Sequence, residues 1–301
     1  MIKTFNDVLN LAKERGPKTI SVAVAQDKEV LLAVKNAVDK EIVKAILVGD
    51  SEKIREISEE INLDINGIDI VDEKDVTEAS RKAVELVSSG KAHIVMKGLV
   101  DTSIILKAVL DKEIGLRTGK VLSHVAIFDT ECYDKLLFVT DAAMNIAPTL
   151  EQKKEIIENA VYVAQSADIN EPKVAAVCAK EKVNPKMPAT VDAKELEEMN
   201  KKGEIEGCIV GGPFALDNAV SKEAAKHKGI DHPVAGDADI ILVPTIETGN
   251  VLYKALNFLA NSKSAGIIVG AKAPIVLTSR ADSDEAKLNS IALGVLMASK
   301  K

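Results

Sequence analysis

Ser279-Arg280 is the pair whose chemistry reads most directly from this 301-residue sequence. It closes the apolar run APIVLTS at 273–279, which has the make-up of a buried strand. An arginine at the carboxyl edge of such a strand offers a rigid fork of donors matched to phosphate oxygens. A serine beside it can donate to a developing oxyanion. Asp282 and Glu285 follow at the spacing of a capping box for a last helix. A surface salt bridge and a backbone-bonded hydroxyl would account for the pair equally.

Three other loops combine a strand end with polar or glycine residues. In MKGLVDTSIILKAVL (96–110) the strand is expected to end at Met96, with Lys97 and Gly98 next and a helix start at Asp101-Thr102-Ser103. Glycine lets backbone N–H groups approach a ligand, and a helix N-terminus favours an anion. Lys97 adds a full positive charge, although a solvated lysine in an ordinary turn fits too. In TDAAMNIAPTLEQKKEII (140–157), Asp141 and Asn145 sit just past a strand with no structural task evident from sequence, and Thr149 with Gln152 forms a capping box. In IETGNVLYKALNFLA (246–260), Glu247, Gly249 and Asn250 are expected at a turn. Tyr253 and Lys254 follow on a helix, as ligand contacts or as interface or surface residues.

The elements that must carry these loops alternate. Short β-branched runs such as TISVAVA (19–25), KAILVG (44–49), AHIVMKG (92–98), KVAAVCA (173–179) and ADIILVP (238–244) are separated by helical patterns. The class is α/β with mostly parallel sheets, and ligands belong at the strands' carboxyl ends. The alternation breaks between VLSHVAIFD (121–129) and LLFVTD (136–141), and again between Gly270 and Pro274. Both gaps are too short for the crossover that parallel neighbours need. They divide the chain into one domain of residues 1–125 and 271–301 and a second, inserted domain of residues 126–270.

Bulk composition narrows the function. Apolar residues at 47% supply a large core, and with 3% aromatics it must be aliphatic. The net charge of -7, with no basic stripe, argues against nucleic acid. No run approaches the ~20 apolar residues of a membrane span, and no signal peptide is expected. Cys132, Cys178 and Cys208 are odd in number and far apart, which fits reduced thiols in a cytoplasmic protein. His93, His124, His227 and His232 are not spaced as zinc ligands. No P-loop, dinucleotide fingerprint or nucleophile elbow is present. The residues alone indicate two α/β domains and a cleft for a phosphate-bearing ligand.

At these loops the sequence resembles the phosphate acetyl/butyryltransferase family. The match runs in order through Lys97-Gly98 with Asp101-Thr102, Asp141 to Pro148-Thr149, Glu247 to Asn250 with Tyr253-Lys254, and Ser279-Arg280. GGPFALDNAVS at 211–221 adds a fifth segment. The MKGLVDT loop and the TSRADS ending look more like the butyryltransferase branch. The resemblance implies an architecture like that of isocitrate and isopropylmalate dehydrogenases, with the active site in the cleft between domains. It also implies a homodimer or higher homo-oligomer. The implied reaction is acyl-CoA plus phosphate giving acyl phosphate plus coenzyme A, by direct transfer in a ternary complex, with coenzyme A as substrate and no cofactor or metal.

Carried over residue by residue, Arg280 would bind phosphate and Ser279 would bond the reacting carbonyl or thiol. Lys97, Gly98, Thr102, Asp141, Asn145, Glu247, Gly249 and Asn250 fall to substrate binding. The acetyltransferases' Asp base aligns with Ala286, which leaves Asp282 and Glu285 as candidate bases, with Asp284 nearby. The family's second phosphate-binding Arg has no counterpart, and Lys97, then Lys107 and Arg117, are its substitutes. Three alternatives stay open: an acetyltransferase of broad acyl range, a dehydrogenase of the same architecture, and a non-catalytic acyl-CoA- or phosphate-binding homologue. The dehydrogenase would need a cluster of metal-binding Asp residues that the sequence lacks.

Overall fold

The computed structural model describes residues 2–278 and 282–300. They divide into two compact units, a first of Phe5–Lys120 with Ala265–Lys301, and a middle unit of Val121–Ser264 with the N-terminal stretch through Thr4. The chain changes unit at 120/121 and 264/265, ahead of the change-overs expected at 125 and 270. Strands β5 (Ser123–Asp129) and β10 (Lys263–Val269) are the reason: each is sorted nearly whole with the strand it pairs with next. No helix among the described residues is long and apolar enough to cross a membrane.

The first unit opens with α1 (Phe5–Arg15), β1 (Lys18–Ala23), α2 (Lys28–Asp39), β2 (Val43–Gly49), α3 (Ser51–Glu60), β3 (Asp69–Asp72), α4 (Val76–Ser88), β4 (Ile94–Lys97) and α5 (Thr102–Val109). Three of its helices start the same way. Asp27, Asp50 and Asp75 are extended residues whose carboxylates accept from the first-turn amides of α2, α3 and α4. Each cap satisfies donors that would otherwise be orphaned and complements the helix dipole.

The middle unit contains β5, β6 (Leu137–Thr140), α6 (Leu150–Ser166), β7 (Lys173–Val177), α7 (Pro188–Lys201), β8 (Ile209–Phe214), α8 (Leu216–Val220), α9 (Lys222–His227), β9 (Ile240–Leu242) and α10 (Ile246–Phe258). Its strands lie in the order β5-β6-β9-β7-β8, with β5 antiparallel to β6 and the other pairs parallel. The expected hairpin is therefore β5-β6. The capping box of α6 forms as read, with Thr149 and Gln152 bonding each other's backbone N–H. Tyr253 packs edge-on against Phe128, with ring centroids 5.5 Å apart, and so has a structural role inside this unit.

The chain returns to the first unit with β10, β11 (Ile275–Val276) and α11 (Asp284–Ser299). The strand order there is β3-β2-β1-β4-β11-β10, parallel throughout except that β10 runs antiparallel to β11. Helix α11 is buried on every side from Ala286 to Met297. A helix buried all round belongs inside a core, even with Lys287, Asn289 and Ser290 in it, and this one packs on α1, α2 and the sheet. Gly294 lets it close on the sheet: an added Cβ would sit 3.2 Å from Ile94 and 3.3 Å from Val276. Larger side chains in such a site cost roughly 1–3 kcal/mol or more. Gly294→Leu should therefore lower the melting temperature, and an unchanged thermal unfolding curve would contradict this packing.

Candidate active site

In an open parallel sheet, a ligand crevice forms where the loops leaving two adjacent strands diverge at their carboxyl ends. The first unit has that point between β1 and β4. The chain runs outward from β1 to β2 and β3, then returns to β4 on the other side of β1. A pocket with about 280 Å³ of open space lies there. Asp27 lines it from the end of the β1–α2 connection, Val30 from the first turn of α2, Lys97, Gly98 and Leu99 from the end of β4, Thr278 from beyond β11, and Lys287 from α11.

Two backbones meet at its base. Gly98 N–H donates to Ala23 O and Leu99 N–H to Val24 O, both at 2.8 Å. A Cβ on Gly98 would fall 2.3 Å from Val24 O and 2.5 Å from Ala23 O, so only glycine fits. The sequence suggested glycine for close approach to a ligand, and the structure uses it for close approach of β4 to β1. Val24 itself has φ 55°, a left-handed conformation that costs a β-branched residue of order 1–3 kcal/mol. Such strain clusters where loops are shaped for function.

Lys97 is not the solvated turn lysine that the sequence allowed. It is the last residue of β4, one beyond the expected end, and its side chain is only 7% exposed. Thr102 heads α5 and does not line the pocket. Asp101 is the N-cap residue, but its side chain makes no cap bond. Lys107 and Arg117, the other substitutes for a second phosphate cation, are exposed and line no part of the pocket.

Ser279 and Arg280 lie outside the described residues, immediately after Thr278. The residues that follow correct the expected cap. Ser283, not Asp282, is the N-cap of α11, and its hydroxyl accepts from Ala286 N–H at 3.2 Å. Asp282 instead turns its carbonyl to the Lys287 ammonium. Glu285 is exposed on the helix's first turn. Lys287 and Asp27 are charged pocket residues that sequence reading missed. Asp27 caps α2. For Lys287 the burial is the signal. This lysine is 3% exposed, and its position inside a helical run gave no sign that it would face a ligand site.

The middle unit holds the other expected residues in a separate arrangement. Asp141, buried at the end of β6, accepts from the N–H groups of Ala143, Met144 and Asn145 at 2.9, 3.0 and 3.2 Å. Asn145 donates its side-chain amide to Asp141 at 2.6 Å and to Leu122 O at 2.9 Å. Both thus have the structural task that the sequence did not reveal. Glu247, Gly249 and Asn250 are not in a turn: α10 begins at Ile246 and contains all three. A Cβ on Gly249 would lie 2.5 Å from Asp141 O, so this glycine lets the helix press onto the β6 loop. Asn250 reaches Ala142 O at 3.5 Å, and Glu247 is exposed.

A narrower pocket in the same unit is lined by the buried Lys153, its half-buried ion-pair partner Asp192 at 2.6 Å, and Cys178. Burial pushes the Cys178 thiol up to about 11 and that of Cys208 up to about 12. Both stay protonated at neutral pH and are poor nucleophiles. Among the described residues, no group of His, Cys, Asp and Glu is placed to hold a metal.

The β1–β4 contact gives a direct test. Gly98→Ala should lower thermal stability by several degrees, given roughly 1–3 kcal/mol for overpacking. A calorimetric melting temperature equal to the wild type's would refute the glycine's role.

The family described as "Phosphate acetyl/butaryl transferase" matches residues 4–81 and 73–295. The phosphate butyryltransferase of Clostridium acetobutylicum is 55% identical over 301 residues, covering 100% of both chains. The crystal structure of a branched-chain phosphotransacylase from Enterococcus faecalis superposes with a TM-score of 0.83 at 39% identity, over 93% of this chain and 99% of that one. A 4-hydroxythreonine-4-phosphate dehydrogenase from Burkholderia phymatum, at 14% identity and a TM-score of 0.55 over 94% of this chain and 98% of that one, shares the fold alone. With nearly the whole sequence matched, the chain belongs to the phosphate acetyl/butyryl transferase family of acyltransferases.

Proposed function

We propose that this chain is a phosphate butyryltransferase, converting butyryl-CoA and inorganic phosphate into butyryl phosphate and coenzyme A. The observation that carries the reading is the pocket at the β1–β4 switch point, where Lys97 is buried beside Thr278 in a chain akin end to end to a butyryltransferase. The transfer is direct. A phosphate oxygen attacks the thioester carbonyl carbon, the C–O bond forms, the C–S bond breaks, and coenzyme A leaves as a thiolate. In the reverse direction a base takes the proton of the coenzyme A thiol, whose pKa near 8.5 calls for only modest help. The reaction asks no metal or other cofactor of the protein.

In this reading Lys97 meets phosphate. Arg280 and Ser279, which lie outside the described residues, keep the roles drawn from sequence: Arg280 binds phosphate and Ser279 bonds the carbonyl or thiol. Asp282 and Glu285 are the candidate bases. Gly98 acts by fixing Lys97 in place. Asp141, Asn145, Gly249 and Asn250 act by holding the β6 loop against α10. Thr102 and Glu247 are assigned to substrate contacts from sequence. A family that spans acetyl, butyryl and branched-chain enzymes leaves a second reading, a transferase of broader acyl range. An apolar pocket separates homologous acyl groups by only ~1–3 kcal/mol per methylene.

The working form is a homodimer or a higher homo-oligomer in the cytoplasm. Helix α10 buries only Gly249 and leaves Val251, Phe258 and the adjoining Leu259 in solvent, the last two 72% and 86% exposed. An apolar strip of this kind marks an association surface. The three cysteines, free and unpaired with one another, suit a reducing compartment.

Two measurements test these statements. With acetyl-CoA and butyryl-CoA in turn, free thiol should appear only when phosphate is added, and faster from butyryl-CoA. No release from either removes the transferase reading, while a faster acetyl rate replaces the butyryl assignment. Phe258→Asp should shift the protein toward monomer in analytical ultracentrifugation, and an unaltered oligomer would place the interface elsewhere.

A further inference from the structure

We infer that Lys287 is a second cation for the phosphoryl group, closing with Lys97 on one anion pocket in the first unit. The inference rests on the phosphate acyltransferase reading and adds a residue to it.

The argument starts from the cost of burying charge. Lys287 is 3% exposed and Lys97 7% exposed, and both line the same pocket. An ammonium taken out of water loses several kcal/mol of solvation unless it is paired. Among the described residues Lys287 has no ion pair with a carboxylate, and it donates a single hydrogen bond, to Asp282 O. An ammonium has three donors. The carboxylate that shares the pocket, Asp27, already accepts from Val30 N–H at 2.9 Å as the cap of α2. Lys287 therefore brings a buried ammonium to the pocket with two donors to spare among the described residues. An anion with several oxygens answers those donors, and Lys97, lining the same pocket, adds a second positive charge.

Position and backbone agree. The pocket sits at the switch point of the sheet, its floor is the β1–β4 contact at Gly98, and Thr278 brings the end of β11 to its wall. Helix α11 carries Lys287 rigidly, being packed on all sides from Ala286 onward. A lysine's long apolar stem tolerates such burial while its ammonium keeps polar partners. Lys287 also follows Ala286, where the sequence lacks the acidic residue expected by resemblance. A cation in this turn would favour binding of phosphate rather than removal of a proton.

Two phosphoryl sources fit the chemistry: inorganic phosphate and the phosphates of coenzyme A. Lys287→Met keeps the apolar stem and removes the charge, and steady-state kinetics on the full chain tells the sources apart. Loss of one charge-assisted bond should raise the KM for phosphate about tenfold or more with the acyl-CoA KM little altered. The converse pattern assigns the lysine to coenzyme A's phosphates. If the variant melts like wild type and both KM values and turnover are unchanged, Lys287 is merely structural and the inference falls. Should the variant not fold, wild-type protein with 15N-labelled lysine carries the test. The Lys287 Nζ resonance should shift on adding inorganic phosphate or coenzyme A, and no shift at saturating levels of both overturns the inference. Failure of the wild type to release thiol in the presence of phosphate would count against the transferase reading alone, since the Nζ shift reads binding without catalysis.

Discussion

The candidate site depends on a place where two main chains touch with no room for a side chain. Gly98 sits against the carbonyls of Ala23 and Val24, and its N–H bonds the first of them. That contact joins the ends of β1 and β4, the two strands between which the first unit's topology reverses. Everything that lines the pocket is referenced to it. Lys97 precedes the contact, Leu99 follows it, and Val24, on its other side, holds the left-handed backbone that leads into the Asp27 cap. A small geometric demand at one glycine thus sets the position of a buried charge.

The two units use polar residues in different ways. In the middle unit, Asp141 and Asn145 spend their hydrogen-bonding capacity on one another and on local backbone. Such a network makes a rigid loop, because every buried donor and acceptor is answered inside it. In the first unit, Lys97 and Lys287 are buried and line one pocket. A closed network of the first kind shapes a surface, whereas a buried ammonium with donors to spare, such as that of Lys287, suits a ligand.

The sequence was legible where local pattern and tertiary structure agree. Alternating apolar runs gave the strands, and two gaps too short for a crossover gave the antiparallel pairs β5-β6 and β10-β11. The Thr149–Gln152 box could be read because both partners lie within one turn. Elsewhere, distant contacts decided the outcome. Glu247, Gly249 and Asn250 looked like turn residues because glycine and asparagine favour turns. The need of α10 to close on Asp141 put them in a helix instead. Lys287 was unreadable because its neighbours form an ordinary helical run, and only the complete burial of α11 turns its charge into a signal. Asp282 resembled a cap, but Ser283, one residue on, captured the Ala286 amide.

Strand β11 and helix α11 carry a consequence for synthesis. Both are made after the entire middle unit, yet β11 lies between β4 and β10, and α11 fills the interior of the first unit. Until they emerge from the ribosome, β4 has an open flank and the helices that flank α11 have nothing to pack on. The early-made part of the first unit must therefore wait, incomplete, while the middle unit forms. An unpaired, apolar strand flank in that interval is a template for wrong partners. For this chain the hazardous period of biogenesis is set by the order of the elements along the polypeptide.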